Sequence, residues 1–258
     1  MHGLTVAGHL FFAWSIGVAA TTIFSDLGPG FLRDHPPVER RIAGALVGPL
    51  AFLSLAALAA GGSGRLSLLI AAPYFLSAAL YSFAWVRRWR APQRRPLGWQ
   101  TGVIGAFALL VLMLTAGPQD WHSGTTMAAY AASAGLLGGL TCLVLKAALG
   151  AHAADVEDTS SPYGIAARTV AFGMGICALA AFEVLVWLAG HRDWAPTLGL
   201  WLGASLVMPG LLMGLGHKLY PRLQTLVWAL ALASALGGQA TIHTVTLFFP
   251  GLIPPAVL

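Results

Sequence analysis

Long apolar stretches separated by short breaks dominate this chain. Eight of them approach or exceed the roughly 20 residues that an α-helix needs to cross a bilayer. Glycine and proline, as in Gly28-Pro29-Gly30, mark the breaks between them. The pattern predicts an all-α polytopic membrane protein, a bundle of eight transmembrane helices in a single domain over residues 1–258. The predicted spans are 4–24, 42–60, 66–86, 98–116, 126–148, 167–189, 196–215 and 224–249.

Composition narrows the class of protein. Only 9% of the 258 residues are charged and 57% are hydrophobic, whereas soluble domains carry about 25% charged residues. This excludes an ordinary soluble enzyme and a nucleic-acid-binding protein. Cys142 and Cys177 lie singly in apolar stretches, so the chain by itself lacks the cysteines for an iron–sulfur cluster or a covalent haem. We expect both thiols to be core residues, and we assign no catalytic or metal-binding residue.

The placement of cations predicts the orientation. Twelve of the 14 lysines and arginines lie in or beside the breaks that follow the first, third, fifth and seventh stretches; Arg65 and Arg192 lie on the other side. We call the side of the membrane that carries these twelve cations the arginine-rich side. Because lysine and arginine accumulate in cytoplasmic loops, we predict a multi-pass protein with both termini outside the cytoplasm.

Four polar residues inside the predicted spans are candidate cofactor ligands. Glu183, His243 and His9 each lie five or six residues from the outer end of their stretch, a depth of about 8 to 9 Å at 1.5 Å per residue. Gln239 is one turn deeper than His243 on the same helical face. Ionisable groups inside a membrane are costly and are commonly functional, although a histidine near the interface can also be a packing residue held by a hydrogen bond.

Several short patterns resemble the membrane-anchor subunits of the dimethyl sulfoxide reductase type. They are the start Met1-His2, and the run from Gly117 through Trp121 to Thr126 before a span rich in glycine and alanine. The eight spans and the outside termini are also similar to that family. Its last helix typically carries a glycine, an acidic residue and, four residues on, an arginine; here Gly238-Gln239 and His243 take those places.

The chain departs from the family in the region associated with quinol binding. The family's histidine and glycine pattern between helices two and three is replaced by Ala59–Arg65, which reads AAGGSGR, and helix three has no acidic residue. The family's quinol site therefore cannot be transferred residue by residue. Either the site has moved to the layer of His9, Glu183 and His243, or the electron route differs.

The resemblance implies a non-catalytic or quinone-reactive subunit of a molybdenum oxidoreductase complex in the inner membrane of a bacterium. Its partners would be a ferredoxin-like iron–sulfur subunit and a molybdopterin catalytic subunit outside the bilayer, and it would exchange electrons with menaquinone or ubiquinone. A b-type haem cytochrome with His9 and His243 as axial ligands is the main alternative. A transporter with Glu183 as a proton relay and a purely structural anchor stay open as well.

Overall fold

The computed structural model describes residues 2–27, 38–62, 64–115, 124–149, 162–188, 195–216 and 221–248. This part of the chain is helical apart from short turns, and eight of its segments are long and apolar enough to cross a membrane. The predicted number of spans is confirmed. The helices are α1 (His2–Leu27), α2 (Val38–Ala60), α3 (Arg65–Val86), α4 (Ala91–Thr115), α5 (Gly124–Ala148), α6 (Pro162–Leu188), α7 (Ala195–Leu202), α8 (Met208–Gly216) and α9 (Pro221–Phe248). A π-helical turn, Gly203–Val207, joins α7 and α8 into the seventh span.

Four helices begin earlier on the arginine-rich side than the apolar pattern predicted, α9 by three residues and the other three by more. The sequence placed the starts of spans two, four and six at residues 42, 98 and 167, but α2, α4 and α6 begin four to seven residues before those positions. Charged residues there remain helical because they find partners or reach the interface. Pro92 and Pro162, predicted to lie between spans, stand in the first turns of α4 and α6, where a missing N–H costs nothing. Pro96, also predicted as a break, lies inside α4.

Helices α1 and α5 form the centre of the bundle. Within their spans 78% and 72% of the positions are buried, against at most 44% in any other span. They cross at Gly17 and Gly138. A Cβ atom added at Gly17 would overlap the carbonyl oxygen of Ala134, and one added at Gly138 would overlap the backbone of Gly17. Only glycine permits so close an approach, which is a common way for membrane helices to pack.

Two packed groups of helices meet at this crossing. The first group, α1 to α4, encloses large aromatic side chains that include Phe12, Tyr74 and Trp85. The second group, α5, α6 and α9, packs around residues such as Leu136 and Val170. The contact between α1 and α5 brings the N-terminal half of α1 beside α9, and the buried polar residues lie at that place.

Candidate functional site

Five buried polar side chains lie together where α1, α5 and α9 meet. They are His9 on α1, Tyr130 and Ser133 on α5, and Gln239 and His243 on α9, and each is at most 2% exposed. We call them the polar cluster. Residues three or four apart share one face of a helix, so the two members on α5 and the two on α9 face the same junction. His9 and His243 lie seven and five residues from the helix ends opposite the arginine-rich side, at depths of about 10 and 8 Å.

His9 and Tyr130 form a hydrogen-bonded pair. The phenol oxygen is 2.7 Å from Nδ1 of the imidazole, and the ring centroids are 5.7 Å apart at an angle of 78°. The phenol hydroxyl donates to the unprotonated nitrogen, because the reverse direction would leave the buried hydroxyl hydrogen without an acceptor among the described residues. His9 then carries its proton on Nε2.

Ser133 joins the two polar residues of α9. Its Oγ is 2.7 Å from Oε1 of Gln239 and 2.9 Å from Nε2 of His243, and it also lies 2.8 Å from the carbonyl oxygen of Ala129. The hydroxyl has one hydrogen, which it donates to one of the two carbonyl oxygens. Its lone pairs then accept from Nε2–H of His243, which fixes that histidine as the tautomer protonated on Nε2.

His243 has a second ring nitrogen that is buried and without a partner among the described residues. This Nδ1 makes no hydrogen bond, while the ring packs edge-to-face on Tyr130 with centroids 4.5 Å apart. A buried polar atom left unsatisfied costs about 1 to 3 kcal/mol. It is therefore the position in the cluster at which a polar ligand atom would be stabilised.

Cys177 extends the cluster towards α6. The amide Nε2 of Gln239 donates to its Sγ over 3.5 Å, and the thiol is buried, as expected for a core residue. Within the described part of the chain, no three histidine, cysteine or acidic side chains are grouped so that they could hold a metal ion.

The geometry of the two histidines does not suit an iron between them. His9 uses Nδ1 for Tyr130 and His243 uses Nε2 for Ser133, and the Tyr130 ring packs against both imidazoles. A haem with these axial ligands would have to enter where the phenol lies. The cluster instead offers neutral donors and acceptors, which can bind a polar oxygen and exchange a proton with it.

Three of the four predicted residues come together. His9, Gln239 and His243 belong to the polar cluster, whereas the side chain of Glu183 lies outside the described residues. That these residues bind a cofactor stays a prediction. Sequence reasoning missed Tyr130 and Ser133. Their signal was present as two polar residues at a spacing of three within a span otherwise rich in alanine and glycine.

Comparison with known proteins adds no relative. The chain matches no protein-family model, no curated protein and no solved structure. Residues 117–123 of the segment that carries part of the resemblance to the anchor subunits lie outside the described residues.

Proposed function

We propose that the chain is a membrane-anchor subunit that exchanges electrons between the quinone pool and an iron–sulfur partner. The observation that supports this most is the polar cluster, with its unsatisfied His243 Nδ1, buried within about 10 Å of the helix ends opposite the arginine-rich side. Quinones have two oxygens that accept hydrogen bonds when oxidised and donate them when reduced. Neutral histidine and tyrosine side chains suit both states.

In this proposal the side chains of the cluster bind and orient the quinone ring and move its protons. His243 Nδ1, unprotonated in the hydrogen-bond network, accepts from a quinol hydroxyl. His9, whose other nitrogen is held by Tyr130, provides the second polar partner. Ser133 and Gln239 hold the His243 ring and its tautomer in place, so they act as positioning residues. A bound quinone would supply the redox chemistry, a two-electron exchange with the iron–sulfur partner.

Quinone binding to the purified chain tests the proposal. His243→Leu removes the free nitrogen and keeps an apolar side chain in the core, and it is expected to weaken binding of a short-chain quinone analogue about tenfold, the worth of one hydrogen bond. Titration of tryptophan fluorescence measures the dissociation constant. Thr241→Val, on the exposed face of α9, is the matched control and leaves it unchanged. If wild type and His243→Leu bind the quinone analogue with equal affinity, His243 is only a packing residue and the proposal is contradicted.

The partner subunits require a separate test. Purification of the chain from its native membrane under mild conditions is expected to recover an iron–sulfur protein and a molybdopterin protein with it. A chain that is isolated alone, with full quinol oxidation by itself, contradicts the anchor role.

The b-type haem alternative has less support from the geometry, because Tyr130 packs against both candidate ligands. We expect the reduced-minus-oxidised visible spectrum of the isolated chain to be featureless. A sharp α-band that disappears in both His9→Ala and His243→Ala would show that the chain binds haem through these histidines, and it would contradict the quinone proposal.

A further inference from the structure

An apolar groove of about 620 Å³ lies between α1, α4, α5 and α6, apart from the polar cluster. Small side chains form its floor, among them Gly17 and Ala20 of α1 and Ala134 of α5, and Phe24 and Phe172 form walls. The small residues that let α1 and α5 cross closely leave the space between α4 and α6 unfilled.

The groove begins on the arginine-rich side and reaches past the middle of the bundle. Arg168 lies six residues from the arginine-rich end of α6, whereas Ala131 of α5 and Leu109 of α4 lie seven and six residues from the opposite ends of their helices. Along α1 it extends from Phe24 to Ile16, eight residues or about 12 Å, and Phe24 is three residues from the end of that helix. The hydrocarbon of one leaflet is about 15 Å thick, half of a typical 30 Å core. A groove of this length and position suits one lipid acyl chain.

Arg168 provides the only formal charge among the groove-lining residues that the structure describes. It lies six residues into α6, and its side chain is exposed and makes no hydrogen bond or ion pair with another described residue. A long cationic side chain about 9 Å inside a membrane helix extends its charge towards the interface. There the guanidinium can meet a phosphate with paired hydrogen bonds, which lysine cannot reproduce.

We propose that this groove binds an anionic phospholipid of the leaflet on the arginine-rich side, with one acyl chain on the small-residue floor and the phosphate on Arg168. The positive charge of Arg168 favours an anionic headgroup over a zwitterionic one. A phosphatidylglycerol headgroup carries a net negative charge, whereas the choline cation of phosphatidylcholine offsets its phosphate. A quinone suits the groove less well, because its uncharged ring offers no negative charge to the Arg168 guanidinium. The lipid site is independent of the proposed quinone site.

Native mass spectrometry of the full chain in detergent tests the proposal. Dioleoyl phosphatidylglycerol and dioleoyl phosphatidylcholine are added in turn, and the lipid retained per chain is compared. Wild type is expected to retain phosphatidylglycerol about fivefold more strongly, the value of one interfacial arginine. Arg168→Gln removes this preference. Ala20→Phe fills the groove at a position that is only partly buried, and it lowers retention of both lipids.

Arg90→Gln is the matched control, because Arg90 is an exposed arginine on the same side that does not line the groove. It keeps the preference for phosphatidylglycerol. The proposal is overturned if wild type retains the two lipids equally, if Arg168→Gln keeps the preference, or if added ubiquinone displaces phosphatidylglycerol from wild type. The quinone titration of His243→Leu is read separately, so failure of either proposal leaves the other intact.

Discussion

At the scale of single residues, a buried ion pair on the arginine-rich side connects three helices. Asp26 near the end of α1 accepts two hydrogen bonds from Arg94 of α4, from Nε at 3.0 Å and from Nη2 at 3.1 Å. Arg40 of α2 lies 3.9 Å from the same carboxylate. The Arg94 guanidinium also stacks 3.8 Å from the centroid of the Trp85 ring. Because its partners come from two other helices, this buried carboxylate holds the ends of α1, α2 and α4 in one arrangement.

Asp26→Asn is expected to destabilise the protein by about 3 to 5 kcal/mol, because it removes the negative partner and leaves cationic side chains buried together. The free energy of unfolding in mixed detergent micelles measures the effect. Arg90→Gln, which changes a charge on the exposed turn before α4, shifts it by less than about 0.5 kcal/mol. A stability like that of wild type in Asp26→Asn would show that the pair adds nothing to the fold.

The sequence predicted the depth of the polar residues but not their partners. Helix rise alone placed His9 and His243 at matched depths and Gln239 one turn deeper. The ion pair of Asp26 with Arg94 has no sequence signal, because the two residues are 68 positions apart in the chain. Tyr130 and Ser133 carry no charge that would make them costly in a membrane. Which helices touch depends on the α1–α5 crossing, and the apolar pattern of each span contains no information about it.

At the scale of elements, the seventh span is the one that departs most from a regular helix. The apolar pattern predicted one uninterrupted helix over 196–215, but a π-helical turn separates α7 from α8. Met208 N–H donates to the oxygen of Gly203, five residues back, and Pro209 has no N–H to give. The oxygen of Ala204 therefore loses both helical donors. The hydroxyl of Ser234 on α9 donates to it at 2.9 Å.

Ser234→Ala is expected to cost about 1 to 3 kcal/mol, since the Ala204 carbonyl is left unsatisfied where no water replaces the bond. Chemical unfolding in micelles measures the loss. Thr244→Val on the same helix removes a hydroxyl that bonds only to its own helix, and its effect is smaller. If both variants lose the same stability, the hydroxyl of Ser234 has no special role in supporting the π turn.

The crossing of α1 and α5 depends on the absence of a single methyl group. Gly138→Ala places a Cβ against the backbone of Gly17, so the helices must separate, and we expect a loss of about 2 kcal/mol or more. Gly175→Ala is the control: nothing lies within 4 Å of a Cβ added there, and alanine in a helix is favoured over glycine by up to about 1 kcal/mol. Thermal unfolding of the two variants should shift in opposite directions; a common shift would contradict close contact at Gly138.

At the scale of the whole molecule, the distribution of cations makes the orientation testable. In a background of Cys142→Ala and Cys177→Ala, single cysteines are introduced at Gly64, between α2 and α3, and at Gln93, in the first turn of α4; both positions are exposed. A membrane-impermeant maleimide added to intact cells is expected to label the cysteine at 64. The cysteine at 93 reacts only after the membrane is permeabilised. The reverse pattern would place both termini in the cytoplasm.

The close contact of Gly17 with Gly138 also governs the order in which the chain can assemble. During synthesis the first helix enters the bilayer long before its main partner exists, because about 120 residues separate the two glycines. At roughly 5 to 20 residues per second the delay is about 6 to 24 s. For that time α1 exposes His9 and its small-residue face to lipid, or to whatever factor accompanies nascent membrane helices. The centre of the finished bundle is thus built from two helices made at separate times, and a chain that ends before α5 lacks the helix that joins the two packed groups.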